Sequence, residues 1–314
     1  MRPRVSVLVP TYNYGRYLLA SVGSALGQTL PELEVIVVDD GSTDETEAVL
    51  AVLRVDPRVR TFRQDRRGPG AARNRALVES SSPFIAMLDA DDVWFADKLA
   101  RQLAVLESDP SIGLAYTNSV VDDLNGRLER RHFDQHSGHR PHVGWVMRQL
   151  AIANFLTTST VVVRREVLDA TGGYDESLQV CEDWDLWLRI AARAPMAYVD
   201  TIGARVRRHG ANTHLRSELM VRDSFRVLAR VPAYAGGWDR LGRAARSRAH
   251  ARAHSRAAAS TYAAGHSGQA LQHIARAILF DPRHATVSDL RLALRCTAAL
   301  FGGGHVCRKP QQLL

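Results

Sequence analysis

Cysteine is scarce in this 314-residue sequence. The three thiols, Cys181, Cys296 and Cys307, are odd in number and far apart. No pair has the C-x-x-C spacing of a metal or redox site. A disulfide scaffold is excluded, and a reducing cytosol is the expected compartment. Long apolar runs are missing too: nothing reaches the roughly 18 residues that argue for a membrane span. The run Val5–Val9, after Met1-Arg2-Pro3-Arg4, is too short for a signal-peptide core and has no small-residue cleavage site behind it. It reads as a first strand. No G-x-x-x-x-G-K-[ST] occurs, and in Gly68-Pro69-Gly70-Ala71-Ala72-Arg73 an arginine stands where G-x-G-x-x-G needs its third glycine. A P-loop enzyme and a dinucleotide-binding Rossmann domain are both disfavoured.

Acidic residues are rare in the last third. Residues 201–314 hold 19 Lys+Arg and 5 Asp+Glu, whereas residues 1–200 hold 22 and 28. Such asymmetry predicts two units with different surfaces, here 1–212 and 213–314. The acidic part can hold a metal. The basic part can meet anionic lipid, nucleic acid or an acidic partner, nucleic acid being the least expected. With 46% hydrophobic and 24% charged residues, the chain has an ordinary globular composition and can bury a full core.

The first 120 residues alternate strand and helix signals. Val5–Val9 and Leu33–Asp39 (LEVIVVD) are hydrophobic on both faces, as in a buried parallel sheet. Leu18, Leu19, Val22, Ala25 and Leu26 recur at helical spacing. Ser42-x-x-Glu45 reads as a capping box. Val59–Gln64, Phe84–Leu88 and Ile112–Thr117 are further strands, Ala71–Val78 and Lys98–Leu106 further helices. The alternation predicts an α/β fold with a mostly parallel sheet flanked by helices. Ligands then bind beyond the carboxyl ends of the strands, at Pro10–Asn13, Asp39–Ser42 and Asp89–Asp92.

The stretch 121–150 carries His132, His136, His139 and His142 among Arg, Gly and Pro, and reads as a mobile loop. Thr160–Val163 ends as a strand, and Glu182-Asp183-Trp184 opens a helix. From about 215, Arg and Ala dominate and strand signals vanish, predicting an all-α appendage. Tyr262, Gly265, Ala270, Ile274, Ala277 and Pro282 fit the second half of a tetratricopeptide-like helical pair. The last dozen residues read as frayed.

Four elements carry candidate chemistry. Asp89-Ala90-Asp91-Asp92 clusters carboxylates at a strand end, where they repel one another unless a divalent cation neutralises them. Hard oxygen ligands suit Mg2+ or Mn2+. Asp39-Asp40-Gly41-Ser42 can accept hydrogen bonds from a base or ribose, or serve as a capping turn. The Gly68–Asn74 turn resembles a phosphate loop. Glu182-Asp183 beside Trp184 and Trp187 fits a general base whose pKa an apolar wall raises, or simple helix N-terminal charge.

In this order the elements resemble the family 2 glycosyltransferases with the GT-A fold. The matching stretches are Val5–Asn13 (VSVLVPTYN), Glu34–Asp44 (EVIVVDDGSTD), Gly68–Leu77 (GPGAARNRAL), Phe84–Asp92 (FIAMLDADD) and Gly172–Asp183 (GGYDESLQVCED). The resemblance covers about residues 4–212. It implies inverting transfer of a sugar from a nucleotide-diphosphate sugar, with a UDP-sugar the favoured donor, to a glycan or lipid-linked acceptor in surface polysaccharide or glycoconjugate synthesis. By the same resemblance Pro10, Thr11, Tyr12, Asn13 and Asp40 face the nucleotide, Arg73 and Asn74 lie near it, and Asp89 lies near the ribose and donor sugar. Asp91 binds Mn2+ or Mg2+ with help from Asp92, and His209 is a further metal ligand. Asp183 is the base and Glu182 the fallback. The expected location is cytoplasmic, with a peripheral contact at the inner face of an anionic membrane. A non-catalytic scaffold with a partner-binding helical tail and a sugar nucleotidyltransferase are the alternatives.

Overall fold

The computed structural model describes residues 2–122, 128–133, 141–209, 217–234, 237–284 and 286–301. The chain divides into two compact units, Met1–Met147 with Phe155–Asn212, and Arg148–Asn154 with Thr213–Leu314.

The first unit is built on one mixed sheet. Its strands among the described residues are β1 (Val5–Thr11), β2 (Leu33–Asp39), β3 (Val59–Arg63), β4 (Phe84–Met87), β5 (Val93–Trp94), β6 (Leu114–Asp122), β7 (Leu128–Arg131), β8 (Val161–Arg164) and β9 (Met196–Arg207). They lie in the order β3-β2-β1-β4-β8-β6-β9-β5, with β7 paired to β6 off this path. The first four strands are parallel, with Val7 opposite both Val35 and Ala86. Beyond β4 the sheet changes character: β8 runs antiparallel to β4 and β6, β6 and β9 are parallel, and β5 is antiparallel to β9.

Helices α1 (Gly15–Leu26), α2 (Thr46–Leu53), α3 (Pro69–Glu79), α4 (Lys98–Ser108), α5 (Met147–Ile152), α6 (Arg165–Thr171) and α7 (Glu182–Ala191) follow along the chain. Val5, Val7, Val9, Val35 and Val37 share a core with Leu18, Val22 and Ala25 of α1 and Leu99, Leu103 and Leu106 of α4. Leu8, Ile36 and Val38, on the opposite face of the sheet, are also fully buried. Burial of both faces is why these strands read as continuous apolar runs.

Two local expectations change. Ser42 does not cap α2; its hydroxyl accepts a hydrogen bond from Asn13 N, and Asp44 takes the orphan N–H of Thr46 instead. Asp44 sits two residues before Thr46, where the helix starts, and its carboxylate closes that turn. Within 121–150, β7 pairs with β6, His132 stacks edge-on to Phe133 and His142 to Phe155, so these residues are packed. His136 and His139 lie outside the described residues, as does the end expected to fray.

Lys98 at the start of α4 is fully buried. Its Nζ lies 4.0 Å from the Trp94 ring centroid and has no hydrogen-bond partner among the described residues. Burial pushes the amine well below the ordinary lysine value of 10.5. The unfolded chain therefore binds one more proton between the two values, and stability rises with pH across that window. Lys98→Met should flatten this slope in urea titrations between neutral and alkaline pH; an unchanged slope would contradict it.

The second unit is helical. Besides most of α5, it contains α8 (Ser217–Arg230), α9 (Gly237–Leu241), α10 (Arg243–Ala263), α11 (Ser267–Phe280) and α12 (Val287–Phe301). The turn between α10 and α11 passes through Gly265 at φ +86°, a left-handed position that favours glycine. Ala270, Ile274 and Ala277 form the buried stripe of α11. Alanine-lined α10 has seven buried positions, six of them alanines: Ala245, Ala249, Ala251, Ala253, Ala257 and Ala258.

Candidate active site

Parallel register brings the ends of β1, β2 and β4 to one edge of the sheet. Thr11 pairs with Asp39, and Leu8 pairs with Met87. The chain leaves this edge through Tyr12-Asn13, Asp40-Gly41 and Asp89–Asp92.

On the β1–β2 side, Asn13 adopts φ +56° and its side-chain oxygen accepts from Thr43 N at 2.8 Å. Pro10 and Thr11 end β1, and the Thr11 hydroxyl is buried without a partner among the described residues. The Tyr12 ring is capped by the Arg66 guanidinium at 4.0 Å. Asp40 is buried and fully engaged: it accepts from Gln64 Nε2 at 2.8 Å, Arg67 N at 2.8 Å and Gly68 N at 2.7 Å. Its carboxylate thus holds the turn that starts α3. Asn74, further along α3, uses both ends of its amide on the opposite turn, donating to Tyr174 O and accepting from Tyr174 N. A Cβ on Gly173 would meet this amide oxygen at 2.7 Å.

Arg73 is the centre of the site. Although only 5% exposed, it donates to Asp89 Oδ1 at 2.6 Å and to Glu182 Oε1 at 2.7 Å. It also lies 5.4 Å from the Tyr174 ring centroid. The guanidinium so ties the β4 loop to the start of α7. That helix begins after Cys181, a left-handed residue at φ +61°. Its first turn carries Glu182, Asp183 and Asp185, a placement that the helix dipole favours. Asp183 accepts from Trp184 N at 2.6 Å and from Thr158 Oγ1 at 3.3 Å. Trp184 and Trp187 are buried beside it.

Asp91 and Asp92 diverge. Asp91 Oδ2 meets His209 Nε2 at 2.9 Å. The imidazole is held by Tyr17, stacked at 4.9 Å, and Tyr14, edge-on at 5.4 Å. Asp92 accepts from Ser159 Oγ at 2.6 Å and from Arg207 N at 3.2 Å. Ser159 also accepts from Asp89 N and, through its carbonyl, from Trp94 Nε1. Ser159 and Thr158 are the site residues that the sequence reading missed. The hydroxyl-rich run Thr157–Thr160 just before β8 is the one local signal that could have found them.

The site opposes negative charge. Burial raises Asp91, and the neighbouring Asp89 adds to it while His209 works against it. Burial, then Asp91 and Asp89, push Asp92 well above the ordinary carboxylate value. Burial raises Glu182 to about 7 against the pull of Arg73. Asp183 is raised by burial, again against Arg73. A divalent cation at Asp91 would relieve this charge. No three His, Cys, Asp or Glu side chains converge on one point among the described residues. Asp91 and His209 nevertheless fit an ion that takes one or two protein ligands and completes its shell with water and phosphate oxygens.

A family profile described as glycosyl transferase family 2 matches residues 6–172. An uncharacterized glycosyltransferase of Rickettsia bellii is 30% identical over 210 residues, covering 67% of this chain and 29% of that protein. The chondroitin synthase of Escherichia coli is 29% identical over 230 residues, 72% of this chain and 32% of that one. The chain therefore spans about a third of the length of these relatives. Among solved structures, S. aureus TarS 1–349 superposes with a TM-score of 0.66 at 20% identity, covering 96% of this chain and 87% of that one. The mannosyltransferase PcManGT from Pyrobaculum calidifontis, in complex with GDP-Man and Mn2+, gives 0.60 at 22% identity, over 96% and 81%. These likenesses extend to the fold, GT-A in type, and with the profile spanning more than half of the sequence the chain belongs to glycosyl transferase family 2.

Proposed function

We propose that the protein transfers a sugar from a nucleotide-diphosphate sugar to an acceptor hydroxyl with inversion, in the building of a surface polysaccharide or glycoconjugate. The observation that carries this reading is the half-buried Asp183 held by Thr158 and Trp184 N, linked through the Glu182–Arg73–Asp89 bridge to the Asp91–His209 pair. A base and a diphosphate site thus belong to one connected set of side chains.

In this mechanism Asp183 takes the proton of the acceptor hydroxyl. The acceptor oxygen bonds to the anomeric carbon from the face opposite the diphosphate. The bond from that carbon to the diphosphate oxygen breaks, and the leaving group keeps the electron pair. Asp91 and His209, assisted by Asp92, would hold Mn2+ or Mg2+, which when bound supplies charge stabilisation to the diphosphate. Thr11, whose buried hydroxyl awaits a partner, and Tyr12 contact the nucleotide. Pro10, Asn13 and Asp40 shape that pocket. Asn74 acts indirectly, by fixing the Gly172–Glu176 turn in front of α7. TarS in complex with UDP or UDP-GlcNAc and PcManGT with GDP-Man and Mn2+ support a nucleotide-sugar donor and a metal, with a UDP-sugar favoured here. A glycan or lipid-linked acceptor is proposed, as are a cytoplasmic location and a peripheral contact of the Arg-rich unit with an anionic membrane. No helix among the described residues is long and apolar enough to cross a membrane.

Thermal melting tests the donor site. Mn2+ with one nucleoside diphosphate at about 100 times its dissociation constant should stabilise the fold by roughly 2.7 kcal/mol. Asp91→Asn should abolish the Mn2+-dependent part of that shift. A folded protein that responds to no nucleotide would refute the reading. The stereochemistry of the product, read by proton NMR of the anomeric centre, tests inversion separately.

A further inference from the structure

The last helix of the second unit presents apolar side chains to solvent. Leu290 is 55% and Leu294 72% exposed. Four residues apart, they share one face of α12, which Ala298, also exposed, extends. Asp289 and Cys296 mark the buried side. Arg291 and Arg295, both exposed, form a parallel row one residue on. The helix is thus amphipathic on its outer side: leucines in a stripe, with guanidinium groups along its flank. Scattered apolar residues on a surface are ordinary, but a stripe bordered by cations is the pattern of an interfacial helix.

Charge decides what covers this face. Residues 201–314 hold 19 basic and 5 acidic residues. Three of the five acids are engaged inside the unit: Asp223 with Arg222 and Arg226, Asp281 with Arg248, and Asp289 with Thr286. A second copy docked through the same face would bring matching arginine rows together. An anionic lipid surface satisfies both the leucines and the arginines.

We propose that α12 is a membrane-docking helix, which lays Leu290 and Leu294 into the headgroup boundary of an anionic bilayer while Arg291 and Arg295 contact lipid phosphates. This deepens the peripheral membrane contact proposed above and assigns it to one face. Arginines near such a surface each change partitioning roughly fivefold, and the leucine pair by about tenfold or more.

Flotation of the full chain tests it without any turnover. The wild type should float with phosphatidylcholine vesicles containing phosphatidylglycerol and remain below with phosphatidylcholine alone. Leu290→Ser with Leu294→Ser should lower the partition coefficient at least about tenfold, and Arg291→Gln with Arg295→Gln by a similar factor, each with a wild-type circular-dichroism melt. Asp91→Asn should float as the wild type does, which keeps failure of the donor site distinct from failure of docking. Undiminished flotation of the leucine variant, or equal flotation on neutral vesicles, overturns the proposal. So does a wild-type dimer in light scattering that the leucine variant dissolves.

Discussion

Asp183→Asn should lower the initial rate of sugar transfer by about 10²–10⁴-fold, the usual contribution of a positioned base, while nucleotide-dependent stabilisation persists. Asparagine keeps the shape: its one amide oxygen can still accept from Trp184 N, while its amide nitrogen, in the place of Oδ2, can donate to the Thr158 hydroxyl. It cannot take the acceptor proton. Release of nucleoside diphosphate, measured with saturating donor, reads the loss directly. The pH profile adds a second check. Burial raises the Asp183 carboxyl above its ordinary 3.8 despite Arg73, so protonation begins at higher pH than for an exposed aspartate. The wild-type rate should fall on the acid side through an apparent value above 3.8, and Asp183→Asn should lose that limb. If the variant keeps more than a tenth of the rate, the base is Glu182, and Glu182→Gln should then show the deficit.

Arg73→Met should cost about 3–5 kcal/mol of stability, the range for removing one partner from a buried ion pair. The arginine side chain is 6% exposed and its Glu182 partner 9%, so water can compensate neither. Asp89, at 32%, loses less. The penalty carries a pH signature. Glu182 sits at about 7 with Arg73 pulling it down, so loss of the arginine raises it further. A carboxyl whose folded value lies above its unfolded 4.5 favours the folded state at low pH and loses that contribution as pH rises through the folded value. The deficit of Arg73→Met should therefore be smaller at pH 5.5 than at pH 8 in urea denaturation. Adding Glu182→Gln should recover part of it at pH 8. Equal deficits at both pH values would show that Arg73 stabilises through packing alone.

How much of this was legible beforehand depends on whether the cause was local. β1 and β2 are short runs rich in Val, Ile and Leu, and β4 is Phe-Ile-Ala-Met; both faces of each are buried, and such runs announce themselves. β6 was harder. All nine residues Leu114–Asp122 are buried, yet Thr117, Asn118, Ser119 and Asp122 are polar, which suggested an earlier end at Thr117. Two of these polar groups find partners further along the chain: Asn118 Oδ1 accepts from Phe133 N, and Asp122 pairs with Arg205. The insertion of β8 between β4 and β6, which turns the parallel sheet into a mixed one, depends on strand order and leaves no trace in any window of sequence. The candidate site divides in the same way. Asp89–Asp92 and Glu182-Asp183 stood out as clusters of like charge. Ser159 did not, because a lone serine acquires meaning only when Asp92 and Asp89 N arrive on either side of its hydroxyl. Asp40 was noticed for its hydrogen-bonding capacity and Asn74 through the family resemblance alone; the structure directs the hydrogen bonds of both to the neighbouring turns.

The Arg73–Glu182 link joins residues 109 apart in sequence, and the Asp91–His209 link residues 118 apart. Contacts of such range place a heavy loop-closure demand on the search for the native state, and chains dominated by them fold slowly. On the ribosome the order of appearance is also fixed. The β1–β4 half emerges with Asp89, Asp91 and Asp92 already made, well before Glu182 or His209 exist to meet them. At about 5–20 residues per second, an interval of several seconds separates the two halves, during which the acidic edge stands open. The finished site is thus assembled late, only after residues far beyond the first half have been made.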